Sequence, residues 1–314
     1  MPALSKLLSL PEAARRVGDG EMISLGGNSL TRLPSAFARE LARQEKRGLR
    51  LVKTAGAYDI DLLCAAGAAV EVQSGYVGFE NLFGLAPSYR KGVESGAVRA
   101  VEHACYTVIA GLRASAYGIP SQPVAGLQGS DVPGLTGFKE AADPYTGAKV
   151  YMIPRIRPRW AVLHVPYADA EGNARIEGGT FEDVLMSRAA EGVILTAERI
   201  VETSFFEGRP ERTKIPAFLV GAVVHAPGGA RPGACPPFYD MEEEAVARYI
   251  GQSASAGGLA AHLAEWEERD HHPAAGRPAG GLIPPPGPPP PGKVWSGEHG
   301  HWHDVVGPAG TGGR

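Results

Sequence analysis

Cysteine is scarce: Cys64, Cys105 and Cys235 are the only three in 314 residues, far apart and without a CxxC pair. Neither a disulfide framework nor a structural zinc site can be read from such spacing. A block of one-signed charge is missing as well. Net charge is −3 and lysine and arginine are not gathered into a basic footprint, which argues against nucleic acid as the main partner. No apolar run is long enough to span a bilayer, and residues 1–10 lack a small-residue cleavage site, so no membrane is expected and a reducing cytoplasm is the default compartment. The Gly-x-Gly-x-x-Gly fingerprint is absent, and with it the case for a Rossmann oxidoreductase. No repeat of fixed period and no helix-turn-helix is found.

What is present is an ordinary globular mixture, 44% hydrophobic and 21% charged, up to a sharp change near residue 267. From there to Arg314, Pro, Gly and His dominate, with residues 283–292 reading IPPPGPPPPG. Such a stretch buries too little apolar surface to offset its ordering entropy. The expectation is a folded domain over residues 1–266 and a disordered tail over 267–314.

Within the domain, short apolar runs alternate with helical segments. Strands are expected at residues 21–25, 49–53, 71–77, 97–103, 124–127, 161–165, 192–201 and 217–224. Helices are expected at 35–47, with Ser35 as N-cap, at 60–69, 107–117 and 181–190, and at 241–268 with an interruption around 251–258. This alternation predicts an α/β fold with a largely parallel sheet covered on both faces.

Two loops could carry chemistry. In DGEMISLGGNSLTRLP (residues 19–34) a strand ends in Gly26-Gly27 before a polar loop and a helix start. Glycines there allow backbone amides to approach a ligand, and a helix N-terminus attracts anions; a tight strand-to-helix turn would look the same. In AGLQGSDVP (residues 125–133) small residues again follow a strand. Their amides could meet a thioester or carboxylate oxygen, or Asp131 could simply organise a turn.

Elsewhere the bland readings weigh more. Glu102 and His103 would point to opposite faces of a strand, and Cys105 reads as a small core residue. Arg155, Arg157 and Arg159 alternate as a solvated face does, with phosphate contact as the rival. His271, His272, His299, His301 and His303 lack a rigid surrounding for a metal.

Taken together, several segments resemble the class I (family I) coenzyme A transferase α subunits. They are the Asp-Gly…Gly-Gly…x-Pro stretch above, Ser74-Gly75-Tyr76-Val77-Gly78-Phe79-Glu80-Asn81, and residues 94–98 (ESGAV) with Glu102-His103. Residues 143–147 (DPYTG), 169–173 (DAEGN), 198–201 (ERIV) and 225–230 (HAPGGA) continue the series in register. The likeness is greatest to the glutaconate CoA-transferase α-subunit-like group and runs over about residues 10–245. Asn28 and Arg32 depart from its commonest form.

The resemblance implies a three-layer α/β/α open sandwich similar to the ribose-phosphate isomerases. It implies a partner β subunit, in a heterodimer or an α2β2 or larger assembly, and a coenzyme A thioester as substrate with no tightly bound cofactor and no metal. The nucleophilic glutamate belongs to β, because this chain lacks the β-type Ser-Glu-Asn-Gly; Glu80 and Glu102 are the catalytic candidates within it. The expected substrate pocket comprises Gly26, Gly27, Asn28, Gly78, Phe79, Glu80, Asn81, Gln128, Gly129 and Ser130. The similar hydrolases that open a ring of a steroid-derived acyl-CoA offer an alternative, with Glu102 nearest to their water-activating acid. A non-catalytic acyl-CoA-binding or regulatory protein on the same fold is the third.

Overall fold

A computed structural model describes residues 5–253, 255, 257–272, 293–296 and 301–304. Two compact units are separated, Met1–Pro273 and Ala274–Arg314. The first begins with α1 (Leu10–Arg15), closed by a reciprocal capping box between Ser9 and Glu12. There follow β1 (Met22–Leu25), α2 (Ser35–Arg43), β2 (Leu49–Gly56), α3 (Tyr58–Ala65), β3 (Ala69–Val77), α4 (Glu80–Phe83), α5 (Pro87–Glu94), β4 (Arg99–Glu102) and α6 (Cys105–Ala116). An insertion carries β5 (Ser121–Val124), α7 (Val132–Thr136), β6 (Lys139–Ala142) and β7 (Lys149–Pro154). The unit ends with β8 (Trp160–Asp169), β9 (Ala174–Arg175), α8 (Asp183–Ala189), β10 (Gly192–Val201), α9 (Ser204–Glu207), β11 (Val220–His225), α10 (Glu243–Ser253) and α11 (Gly258–His271). In the second unit, β12 (Lys293–Ser296) pairs antiparallel with β13 (His301–Asp304).

The main sheet has the order β11-β10-β8-β1-β2-β3-β4, with parallel pairing throughout and β9 added antiparallel to β8. Because helices cover both faces, β8 reads as a nearly unbroken buried run, WAVLHVPYAD. Alternate residues feed two cores. Ile23, Leu51, Val162 and Ile194 pack with Phe37, Leu41, Tyr58 and Leu63 of α2 and α3. Val52, Leu163, Val193 and Leu195 pack with Val108 and Leu112 of α6 and Met186 of α8. The three-layer α/β/α sandwich with a mostly parallel sheet is therefore the architecture.

Two local expectations change. The 124–127 strand is really β5, which lies outside the main sheet in the antiparallel β5-β7-β6 sheet and packs Val124 against Phe138, Tyr151 and Ile153. Ser35 is not the N-cap of α2: Pro34 holds that place, while the Ser35 hydroxyl donates to Ala230 O at 2.9 Å. The 266/267 boundary falls inside α11. There Asp270 accepts a two-pronged bond from Arg39 (2.6 and 2.7 Å) and a third from Arg43 (2.8 Å), and the Arg39 guanidinium lies 4.3 Å over the Trp266 ring. The proline tract at 283–292 and His299 lie outside the described residues.

Candidate functional site

Strand order reverses at β1, with β2 to one side and β8 to the other. In open parallel sheets, ligands bind outside the carboxyl ends of the strands at such a point. The loop that leaves β1 there, residues 26–34, is held from both sides by buried charges. Lys53 of β2, itself paired with Asp59 at 2.6 Å, donates to Gly26 O at 2.6 Å. Asp183 at the start of α8 accepts from the Gly27 N–H at 2.8 Å through one oxygen and from the Arg32 guanidinium through the other. Arg32 also donates to His164 O (3.3 Å) and Gly179 O (2.7 Å) and stands over the Phe181 ring.

The two glycines are required by packing rather than by a ligand. A Cβ on Gly26 would lie 2.7 Å from Leu163 Cδ2 and 3.0 Å from Asp183 Oδ1; Gly27 has φ +69°, and its Cβ would lie 2.3 Å from Thr31 O. The loop amides are occupied too. Gly26 N–H goes to Val162 O, Gly27 N–H to Asp183, Asn28 N–H to Thr31 O and Ser29 N–H to Ala55 O. The expectation of a backbone anion cradle thus gives way to a rigid wall that presents side chains.

Those side chains meet the neighbouring loops. The Ser29 hydroxyl donates to Glu80 Oε1, joining the β1 loop to the β3 loop. Glu80 is exposed, adopts φ +57°, and its N–H donates to the Tyr76 hydroxyl at 3.2 Å. Gly78 belongs to the same turn, its N–H bonded to Gly56 O. Phe79 turns away from it: its ring is fully buried in the core, 6.2 Å from that of Tyr249 in α10. Asn81 lies in α4 beside these residues.

On the other face of β2, the half-buried Glu182 accepts from the Thr54 hydroxyl at 2.7 Å. Cys105, exposed at the start of α6, points its Sγ at Thr54 O (3.4 Å); partial burial, then Glu182, push its thiol upward. Glu182, Asp183, Thr54 and Lys53 are not singled out by the sequence, since no local pattern sets them apart.

Gln128, Gly129 and Ser130 are placed in a turn of the insertion, bonded locally: Gln128 Nε2 to Lys149 O (3.0 Å), Ser130 N–H to Leu127 O (3.2 Å) and Val132 N–H to the Ser130 hydroxyl (3.2 Å). No hydrogen bond among the described residues joins them to the glycine loop. Glu102 is exposed at the end of β4, whereas His103 turns inward to Thr107 Oγ1 (2.8 Å) and Phe138. Burial lowers the His103 pKa to about 4, so it is a neutral core group near neutrality. Arg157 and Arg159 pair with Glu191, and Arg159 also approaches Glu21, at the amino end of β8 away from the crevice. That is the solvated-face reading.

The segments 198–201 and 225–230 prove to be one buried latch. Glu198 contacts His164 Nε2 (2.7 Å), accepts from Gly228 N–H (2.8 Å) and accepts from the Tyr239 hydroxyl. Burial opposes its charge, but the bonds from His164, Tyr239 and Gly228 outweigh it and hold the carboxyl below the usual range. His164 Nε2, a Glu198 oxygen and Cys235 Sγ lie within 4.8 Å of one another. Thr196 at 2.9 Å takes the other His164 nitrogen, so His164 and Glu198 are already satisfied without an ion.

Comparison with known proteins matches this architecture. The Coenzyme A transferase family profile fits residues 8–226. The chain belongs to the coenzyme A transferase family. Within it the chain is of the family I α-subunit type, as its named relatives show. The A-type subunit of glutaconate CoA-transferase from Acidaminococcus fermentans is 29% identical over 85% of this chain and 90% of its own, and the crystal structure of that enzyme superposes with a TM-score of 0.79 over the same shares. The corresponding A-type subunit of 3-oxoadipate CoA-transferase from Pseudomonas knackmussii is 31% identical over 76% and 85%. The cholesterol ring-cleaving hydrolase IpdA subunit of Mycobacterium tuberculosis is 30% identical over 80% and 88%. The chain spans 57% of the length of a further relative from Archaeoglobus fulgidus, 35% identical over 255 residues. No helix among the described residues is long and apolar enough to cross a membrane.

Proposed function

We propose that this chain is the α subunit of a heteromeric acyl-CoA:carboxylate CoA-transferase, with the nucleophilic glutamate on a separate β subunit. The observation that carries the reading is a half-built site. The crevice at the strand-order reversal has a rigid polar wall, yet Glu80, exposed beside it, is bonded to Ser29 and, among the described residues, is paired with no cation. A carboxylate from the partner would attack the thioester carbonyl and release the CoA thiolate. The thiolate would then attack the resulting anhydride at the enzyme carboxyl, freeing the first acid and leaving a glutamyl-CoA thioester. The acceptor carboxylate reverses both steps, with no water consumed and no net proton change. With its loop amides occupied, this chain contributes Asn28, Ser29 and Glu182 as the wall that orients the acyl group, with Thr54 bonded behind Glu182, and rigidity is its catalytic contribution.

Likeness to the IpdA subunit keeps a second reading, in which water attacks and a carboxylate of this chain acts as base. One experiment separates the two. The chain is co-purified with the protein encoded beside it and incubated with acyl-CoA, and each chain is weighed intact. A CoA-sized gain on the partner, removed by hydroxylamine and retained in Glu80→Gln, supports the transferase. Turnover with no adduct on either chain supports the hydrolase, and an adduct on this chain lost in Glu80→Gln would move the nucleophile here.

A further inference from the structure

On the β8–β10 flank of the same crevice lies a group of arginines that the latch and the glycine loop do not use. Arg175 of β9 is only 5% exposed, yet its Nε has no hydrogen-bond partner and its single bond runs from Nη2 to Phe205 O at 3.1 Å. Its guanidinium carbon stands 4.0 Å over the centre of the Phe205 ring. Arg199 of β10, half-buried, stands 4.8 Å over the Phe238 ring. Tyr167, opposite Arg175 on β8, joins the two rings at 5.3 and 5.5 Å. Arg209 and Arg212 add positive field at Arg175, against the carboxylates of Glu177 and Glu211. Among the described residues, neither Arg175 nor Arg199 has a carboxylate within ion-pair distance.

A covered guanidinium without a paired counter-anion is costly, since burial penalises the charge and the more distant Glu177 and Glu211 return only part of the Coulomb energy. Burial, followed by Arg212 and Arg209, accordingly lowers the Arg175 pKa. Stacked aromatics and arginines with free donors suit one ligand chemistry, a planar base carrying phosphates. The peptide from Arg175 runs through Gly178 and Gly179 to Phe181, Glu182 and Asp183, so this patch and the acyl-facing wall are two ends of one segment.

We propose that Arg175, Arg199, Arg209 and Arg212, on the floor made by Tyr167, Phe205 and Phe238, form the subsite for the phosphorylated adenosine end of the thioester substrate; naming coenzyme A as its bearer rests on the transferase reading above. The direct test titrates the full chain with adenosine 3′,5′-bisphosphate by calorimetry, with adenosine and inorganic phosphate as controls. Saturable binding that weakens with salt is expected. Arg175→Met and the less buried Arg199→Gln and Arg212→Gln should each weaken it, the first two about tenfold or more, the scale of a charge-assisted bond. In the co-purified complex, the same variants should raise KM for acyl-CoA by a similar factor, leave kcat unchanged, and leave both constants unchanged for acyl-pantetheine, which lacks the nucleotide. No bisphosphate binding, or equal binding by wild type and by folded Arg199→Gln and Arg212→Gln, overturns the subsite even if the partner acquires its thioester. Arginine-dependent bisphosphate binding in a complex that turns over neither thioester leaves the subsite standing and fells the transferase.

Discussion

Replacing Asp183 by alanine tests the claim that one carboxylate locks the glycine loop. Its two oxygens hold the Gly27 N–H and the Arg32 guanidinium, and both charged side chains are at most 1% exposed. Removing it leaves Arg32 buried with only the carbonyls of His164 and Gly179. Breaking a buried pair from one side costs about 3–5 kcal/mol, and the orphaned amide adds about 1–3 kcal/mol. At roughly 2–4 °C per kcal/mol, the melting temperature should fall by about 10 °C or more. Urea unfolding of the purified chain reads the free energy directly, through a lower midpoint at unchanged slope. The double variant Arg32→Leu/Asp183→Leu removes both charges, and should lose less stability than Asp183→Ala alone. A loss below about 1 kcal/mol for Asp183→Ala, or a double variant whose cost equals the sum of the singles, would refute the account.

Gly20 and Gly27 share a positive φ, +77° and +69°, but only Gly27 has backbone within reach of a Cβ. Gly20→Ala should cost about 1–2 kcal/mol, the left-handed penalty, and Gly27→Ala clearly more, compared by urea midpoint. A chain ending at residue 266 strips Asp270 from Arg39 and Arg43; it should be less stable than one ending at 273 by about 3–5 kcal/mol, and equal stability would refute the role given to Asp270. Stability should also decline on acidification. Burial, then Arg39, lowers the His262 pKa to about 3 from 6.5, so between those values the unfolded chain binds a proton that the folded chain refuses. Glu198, held low in the folded state, acts in the same direction: its contribution is present above the unfolded carboxyl value and is lost as pH falls through the folded one. His262→Phe should flatten the decline between pH 6.5 and 4 in urea titrations, and an unchanged slope would count against it.

The layers of the fold are legible in the sequence because they rest on local pattern. The run GVILTAERIV is β10 end to end, and the expected break near 251–258 in the last helical stretch is real, with Gly257 at φ +76° before α11. A four-residue apolar run, by contrast, carries no mark of which sheet it joins or where it starts, and the strand expected at 124–127 meets β5 only at Val124. The β1 and β3 loops are both marked in the sequence, and the structure joins them through Glu80 and Ser29, a residue outside the expected pocket. The workings of the site are not legible there. What a glycine amide does at Gly27 depends on Asp183, 156 residues away. The inward turn of Phe79 depends on Tyr249, which is more remote still. Long-range partners of this kind leave no periodicity to read.

That same remoteness says what the α chain can offer a substrate. The two cations nearest the glycine loop, Lys53 and Arg32, are both bound to buried aspartates and to backbone carbonyls. They shape the wall and are not free to receive a carboxylate. The groups left on the β2–β3 flank are hydroxyls and the carboxylates of Glu80 and Glu182, which repel an anionic acceptor approaching alone. Unpaired positive charge near the crevice lies on the β8–β10 flank, around Arg175 and Arg199. A thioester bound with its phosphates on that flank would reach across the strand-order reversal toward the acidic wall. On the transferase reading proposed above, the charge that receives the acceptor carboxylate would then come from the partner subunit, the same chain proposed to supply the nucleophile. On that reading an α subunit organised in this way would hold the substrate and leave the exchange of acids to β.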